Sequence, residues 1–447
     1  MTRSRVWTLG ATLAWCAVVL VRGSAFEPQY ASKPNAATPT FTKDVAPILY
    51  KNCIECHRPG QIAPMSFLTY EEARPWARSI RDEVLDGTMP PWHADAPHGT
   101  FLNERRLTDA EKDTLAKWAN GGAPRGDDKD MPALPPMTEG WTLGKPDVVF
   151  QMEKPYALPA EGVIQYEYFY IPTNFTEPKW VKSIEVRPGN REVVHHVLVY
   201  YRAQPDLQRE PVLRFAESAR LPRERTPGIR QNAPRPDLGP QRLIGTYAPG
   251  TEAQVAPPGT AFRLEPGGVL ELQMHYTTTG QPTTDQTKVG LIFATDASPL
   301  EVRPSQFVNG QFTIPAGAAD VAVDAEVEFL QDATVWGLFP HTHLRGKKWE
   351  YRLIGPDGAS KVILSIPRYD FNWQTYYMFR EPLKVQKGSR IVSTAWYDNS
   401  EGNKHNPDPK VDVKWGDQTW EEMQYTGILF TPSISPKPLT RTSDEKK

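Results

Sequence analysis

The sequence predicts a multidomain chain: a small all-α domain followed by two all-β sandwiches of jelly-roll-like architecture. Three observations predict it. From about residue 145 the chain runs in short stretches that alternate apolar and polar residues, separated by Gly, Pro, Asn and Asp, the period-two signature of half-buried strands. Two earlier stretches carry helical periodicity with capping residues at their starts. Finally, 44 prolines and 31 glycines among 447 residues favour turns and strands over long helices.

The first element is an export signal at 1–25. Arg3 and Arg5 form a basic start, Val6 to Val21 is an apolar run, and Gly23-Ser24-Ala25 offers small residues for cleavage. The alternative, an uncleaved anchor, has too short a run for a span. The expected location is therefore periplasmic or secreted, with no membrane span once the signal is removed. The net charge is −2, or −5 without the signal's three arginines. No basic field points to nucleic acid.

Of three cysteines, Cys16 lies within the signal. The other two stand in Cys53-Ile-Glu-Cys56-His57, the spacing of a c-type haem attachment site in an exported chain. Two thiols bond the haem vinyl groups and His57 supplies one axial nitrogen. A disulfide or half a zinc site is the competing reading, but no second cysteine pair exists. Helices are expected over Thr42–Lys51, with Thr42 as N-cap, and over 107–120, with Thr108 as N-cap and Gly121-Gly122 as stop. Leu115 and Trp118 would pack on the first helix. Residues 41–127 thus resemble a small cytochrome c domain. That resemblance implies a sixth haem ligand from the loop before the last helix, where Met89 stands; Met65 and His93 are rivals.

Polar and Pro-rich residues at 128–144 read as a linker. The first sandwich is expected over 145–298, with strands such as Val163–Ile171, Val193–Tyr201, Val269–Thr277 and Lys288–Phe293. Gln204 to Gln241 has no period and reads as a surface excursion. The second sandwich is expected over 299–435, and 436–447 is a charged tail expected to be disordered.

The chemistry-bearing residues fall into two sets. His195 and His196 are adjacent, so on a regular strand they face opposite ways, and joint ligation needs a bulge or a strand end. His275 shares a face with Gln273 and Glu271, away from Leu270, Leu272, Met274 and Tyr276. His341 and His343, two apart, share a strand face. Met423 adds a thioether, which suits cuprous copper and not zinc. Singly, each reads equally as a core or strand-end residue; together they make a three-imidazole set and a two-imidazole, one-thioether set.

The order His195-His196, His275, His341-Thr342-His343, Met423 on paired sandwiches resembles the copper type II ascorbate-dependent monooxygenases, the peptidylglycine α-hydroxylating and dopamine β-hydroxylating enzymes. Gln273-Met-His-Tyr276, Tyr397-Asp-Asn-Ser400 and Glu421-Glu-Met423 match the family's local phrases. The resemblance covers roughly residues 145–432, a two-domain length. It implies two copper ions facing each other across an open cleft. The copper at His195, His196 and His275 passes an electron; that at His341, His343 and Met423 binds O2 and hydroxylates a C–H bond of a small organic substrate. An external donor, ascorbate or a periplasmic redox partner, is expected to supply the electrons, and the fused haem domain is expected to supplement or replace ascorbate in feeding the first copper. In the peptide-amidating members an Arg lies two before the His-x-His motif and a Tyr four after the Met. Here those places are Phe339 and Gly427, which argues against a glycine-extended peptide. The sandwiches hold no cysteine, so no disulfide staples them. The alternative function is a non-catalytic copper and haem electron-transfer or copper-binding protein.

Overall fold

Alternation and capping lay out the elements, and the computed structural model shows where they meet. It describes residues 38–433 and 437–438, apart from 60, 62, 138–139, 205–206, 209–210, 222–237, 249–252 and 297–298. The export signal expected at 1–25 lies outside the described residues.

The helical region begins earlier than its sequence suggests. A π-helical turn, Phe41–Val45, runs into an α-helix, Ala46–Asn52. Thr42 is not the cap: it sits inside the first turn, buried. Thr40 is the extended residue at the start, and its N–H donates to the Asp44 carboxylate at 2.7 Å, which satisfies a free donor of the first turn. The helix Asp109–Asn120 forms as expected. Thr108 and Glu111 exchange bonds in a capping box, and Leu115 and Trp118 are fully buried, with the Trp118 ring 6.0 Å from Phe41. Two further helices, Tyr70–Ala73 and Ala77–Asp86, escaped the periodicity argument. Their signals were local: Thr69 and Glu72 make a second capping box, and Gly87, at φ 72°, ends the longer helix in the left-handed region.

The first sandwich pairs a six-stranded sheet with a four-stranded one. The first has the order Val148–Gln151, Lys288–Phe293, Lys179–Arg187, Thr260–Leu264, Leu300–Glu301, with Gln254–Val255 also on Lys179–Arg187. The second runs Glu167–Pro172, Val269–Tyr276, Val194–Arg202, Gln241–Tyr247. The expected strand at Val163–Ile171 starts only at Glu167. Leu270, Leu272 and Met274 are fully buried, while His275 and Gln273 on the other face stay half-buried. Each such core side chain contributes roughly 1.5–3 kcal/mol.

The second sandwich repeats the arrangement. Its four-stranded sheet has the order Arg303–Asn309, Gln424–Pro432, Ala333–His341, Tyr377–Val385. Its five-stranded sheet has the order Ser360–Ile366, Gly346–Ile354, Arg390–Tyr397, Val321–Phe329, Leu213–Phe215. The last strand comes from the excursion after Gln204, which therefore crosses from one sandwich to edge the other. Leu429, from the second sandwich, is buried in the first sandwich's core, with Trp336, Tyr376 and Met378 packed beside it.

The helical region is built into this body. Trp92, Ala94 and Phe101 belong to the second sandwich's core, where the Phe101 ring lies 5.5 Å from both Tyr377 and Phe379. Backbone bonds follow: Leu102 N–H to Met378 O, Arg380 N–H to Thr100 O, and Asp95 N–H to Ser365 O. At the other end, Lys437–Pro438 pairs with Leu207–Gln208, so the expected disordered tail holds a short strand. Among the described residues no helix is long and apolar enough to cross a membrane.

Candidate metal centre

Strand register brings the first three histidines together. Val269–Tyr276 pairs with Val194–Arg202 in regular order up to His275 opposite His196; the next pair is Tyr276 with Val194. His195 is the extra residue of that bulge. The irregularity swings its ring to the face that alternation denies it. His195 Nδ1 and His275 Nδ1 then lie 3.3 and 3.4 Å from His196 Nδ1. The three residues' candidate ligand atoms all fall within 4.8 Å of one another. Tyr166 packs edge-on against His196 and His275, at 5.5 and 5.0 Å.

Burial keeps these rings neutral. It pulls His275 down to about 3 and His196 well below the usual imidazole range, with the neighbouring histidines adding to both shifts. Neutral imidazoles crowded nitrogen to nitrogen present lone pairs that a cation would satisfy, so the donor set fits a metal ion that favours imidazole.

His341 ends the Ala333–His341 strand and His343 lies just beyond it. Their ring centroids are 5.2 Å apart. Gln374 Oε1 is 2.6 Å from His341 Nδ1, while the Gln374 amide donates to Phe371 O at 2.9 Å. The carbonyl end therefore faces the histidine, Nδ1–H donates, and Nε2 is left bare. His343 Nδ1 is 3.1 Å from Glu421 O, which only accepts; its Nε2 is buried without a partner. A buried acceptor left bare is what a metal site requires.

Met423 stands beside them. His341 pairs with Tyr425, two residues after Met423. Met423, His341, His343 and His196 line one cavity of about 180 Å³. Glu422 accepts from the backbone N–H groups of His343 at 2.8 Å, Arg345 at 2.7 Å and Met423 at 3.3 Å. It is fully buried, not a surface charge, and burial pushes its carboxyl up to about 7. Arg345 reaches Asn399 Oδ1 and Trp420 O, which ties it to the scaffold and not to the cavity.

One side chain packs against both groups. The Phe371 ring lies 5.5 Å from His195, 6.0 Å from His343 and 6.4 Å from His341. Phe371 is not among the residues that line the cavity shared by His196, His341 and His343. The same loop sends Asn372 to His195 and Gln374 to His341. Sequence reasoning missed all three, because they lie between strands where no period marks them.

The remaining candidates lie in the helical region. Cys53 follows the Ala46–Asn52 helix, and a tight turn brings Cys56 N and His57 N to Cys53 O at 3.1 and 2.9 Å. Both thiols are free, and burial pushes Cys53 up to about 12. His57 stacks on Phe67 at 4.4 Å, and its ring bonds the Met65 backbone. Met65 is therefore on His57's own side. Met89 is half-buried in its loop. His93 lines a groove with Arg368, Asp370 and Phe371 of the second sandwich.

Residues 318–432 match the family model of the copper type II ascorbate-dependent monooxygenase, C-terminal domain. That stretch holds His341, His343 and Met423. The match supports a copper-dependent monooxygenase at the level of the family. Among curated proteins none matches this chain. Solved structures similar to it include one of infectious bursal disease virus, Gt strain, at 9% identity, covering 70% of this chain and 84% of that one, with a TM-score of 0.16. Another is allantoicase from Saccharomyces cerevisiae, at 7% identity, covering 62% and 80%, with a TM-score of 0.17. Scores this low carry no argument about the fold.

Proposed function

We propose that this chain is an exported copper-dependent monooxygenase that hydroxylates a C–H bond of a small organic substrate with O2. One observation carries the reading: five histidines and a methionine, drawn from two sandwiches, form two groups, and His196 of the first group lines one cavity with His341, His343 and Met423 of the second. His195, His196 and His275 would hold one copper ion, and His341, His343 and Met423 the other. Bound copper supplies one-electron chemistry and a place for O2.

The chain's own residues do the rest. Gln374 and the Glu421 carbonyl orient His341 and His343 so that Nε2 points away from each bond. Tyr166, Tyr200, Phe339, Trp415 and Tyr425 give the cavity aromatic walls, and among the described residues neither lysine nor arginine lines it. Phe339 and Tyr376 pack together at 5.0 Å over Gly427, where an added Cβ would lie 3.1 Å from each. The wall that holds a carboxylate in the peptide-amidating members is thus aromatic here. That favours a small substrate without a negative charge.

Cys53, Cys56 and His57 would hold a c-type haem, with Met89 as the sixth ligand, since His93 faces the second sandwich. This haem, or an external donor such as ascorbate, supplies the electrons. The second reading, an electron-transfer protein without turnover, draws on Phe371, whose ring touches both groups.

Metal and haem analysis of protein matured in an exported compartment, followed by product screening under 18O2 with ascorbate, tests the proposal. A labelled hydroxylated product that disappears in His341→Ala supports it. Full copper loading with no reductant-dependent O2 uptake on any screened compound favours the electron-transfer reading.

A further inference from the structure

We infer that Arg191 and Tyr247 dock the segment that carries Cys56 and Gln61 onto the three-histidine sheet. A haem on Cys53 and Cys56 would then serve the His195/His196/His275 site and not the His341/His343/Met423 site. The inference rests on the haem reading above and adds which copper site the haem meets, and through which residues.

Three observations place the contact. Arg191 stands four residues before His195, in the turn that leads into its strand, and its guanidinium donates to Gln61 Oε1, four residues after His57. Tyr247 ends the Gln241–Tyr247 strand and pairs across with Val197, next to His196. It is buried and lines the cavity that His196 also lines. It feels the charges of both Cys56 and Arg191, and Cys56 in turn feels Arg191. Cys56, Arg191 and Tyr247 are therefore within electrostatic range of one another, and Tyr247 also lines the histidine cavity.

The rest of the helical region is fixed as well. Trp92, Ala94 and Phe101 are buried in the second sandwich's core, and backbone bonds run from Asp95, Thr100 and Leu102 into that sandwich. Contacts on both sandwiches hold the loop in place, so the segment at 128–144 does not act as a free tether. Electron transfer falls steeply with separation, so a fixed contact selects one acceptor where a tether would allow several. The step is one electron from ferrous haem to a cupric ion, giving ferric haem and a cuprous ion, with no bond made or broken. A one-electron donor such as ascorbate returns the haem to the ferrous state.

The test uses full-length protein with haem and copper content measured first. Ferrous protein is mixed anaerobically with Cu(II), and haem oxidation is followed by its visible absorption. Wild type and the pair His341→Ala/His343→Ala should oxidise haem at the same rate, while His275→Ala should not oxidise it. Gln61→Ala and Arg191→Ala, each with unchanged haem and copper, should slow oxidation, because the segment carrying Cys56 loses the bond that seats it beside the His195 strand. Magnetic relaxation of the Cu(II) signal by ferric haem should weaken in the same variants. If Arg191 and Gln61 variants keep the wild-type rate and relaxation, or if loss of His341 and His343 abolishes oxidation while loss of His275 does not, the docking inference is overturned. Absence of covalent haem would instead overturn the haem reading itself.

Discussion

Gln374 presents its carbonyl to His341 Nδ1 at 2.6 Å, from a loop that no strand pattern marks. The amide's other end is engaged by Phe371 O, so the orientation of the glutamine and the tautomer of the histidine are set together. Gln374→Leu removes this brace without changing a ligand. Copper affinity at the His341/His343/Met423 site should fall by roughly 10–100-fold, with the three-histidine site unaffected. A chelator competition that resolves two classes of copper checks it; equal weakening of both classes would contradict the assignment.

Glu422 gathers three backbone N–H groups, from His343, Arg345 and Met423. Glu422→Ala leaves buried donors without an acceptor, each costing about 1–3 kcal/mol, though not additively. The metal-free protein should unfold at clearly lower temperature than wild type, and Glu422→Gln should recover part of the loss. Scanning calorimetry of the apoprotein is the measurement. A surface role for Glu422 would leave the transition unmoved.

Phe371 is buried and packs against both His195 and His343. Phe371→Ala should cost about 3–5 kcal/mol through the cavity it opens, with two coppers still bound per chain. Denaturant titration reads the first and metal analysis the second. Loss of both coppers would mean that the ring shapes the sites and does not merely pack against them.

Phe101 fills the second sandwich from outside its own sequence, against Tyr377 and Phe379. Phe101→Ala should destabilise the protein by about 3–5 kcal/mol, comparable to a substitution within the sandwich itself. A chain lacking residues 39–124 should expose that apolar face and aggregate. A soluble, cooperatively folding truncation would show that the helical region is dispensable.

The helix at 109–120 was legible because its cap, Thr108 with Glu111, and its stop at Gly121 are local chemistry. Thr42 misled for an equally local reason. Thr40 and Thr42 both suit a cap, and Asp44, four residues after Thr40, selects the earlier one. The sandwich strands were legible where one face is buried, as at 269–276. The helical region's place was not, since Trp92 and Phe101 meet partners hundreds of residues away, beyond the reach of any periodicity.

The ligand types and their grouping by sandwich can be read from residue identity and order alone, because imidazole and thioether chemistry belongs to the side chain itself. The bulge that turns His195 beside His196, the ring nitrogen each histidine leaves free, the phenylalanine packed against both groups and the seating of the thiol loop on Arg191 all depend on contacts between strands and loops far apart in the chain. Those contacts exist only once the sheets have paired and packed, since pairing register and burial are properties of the folded whole.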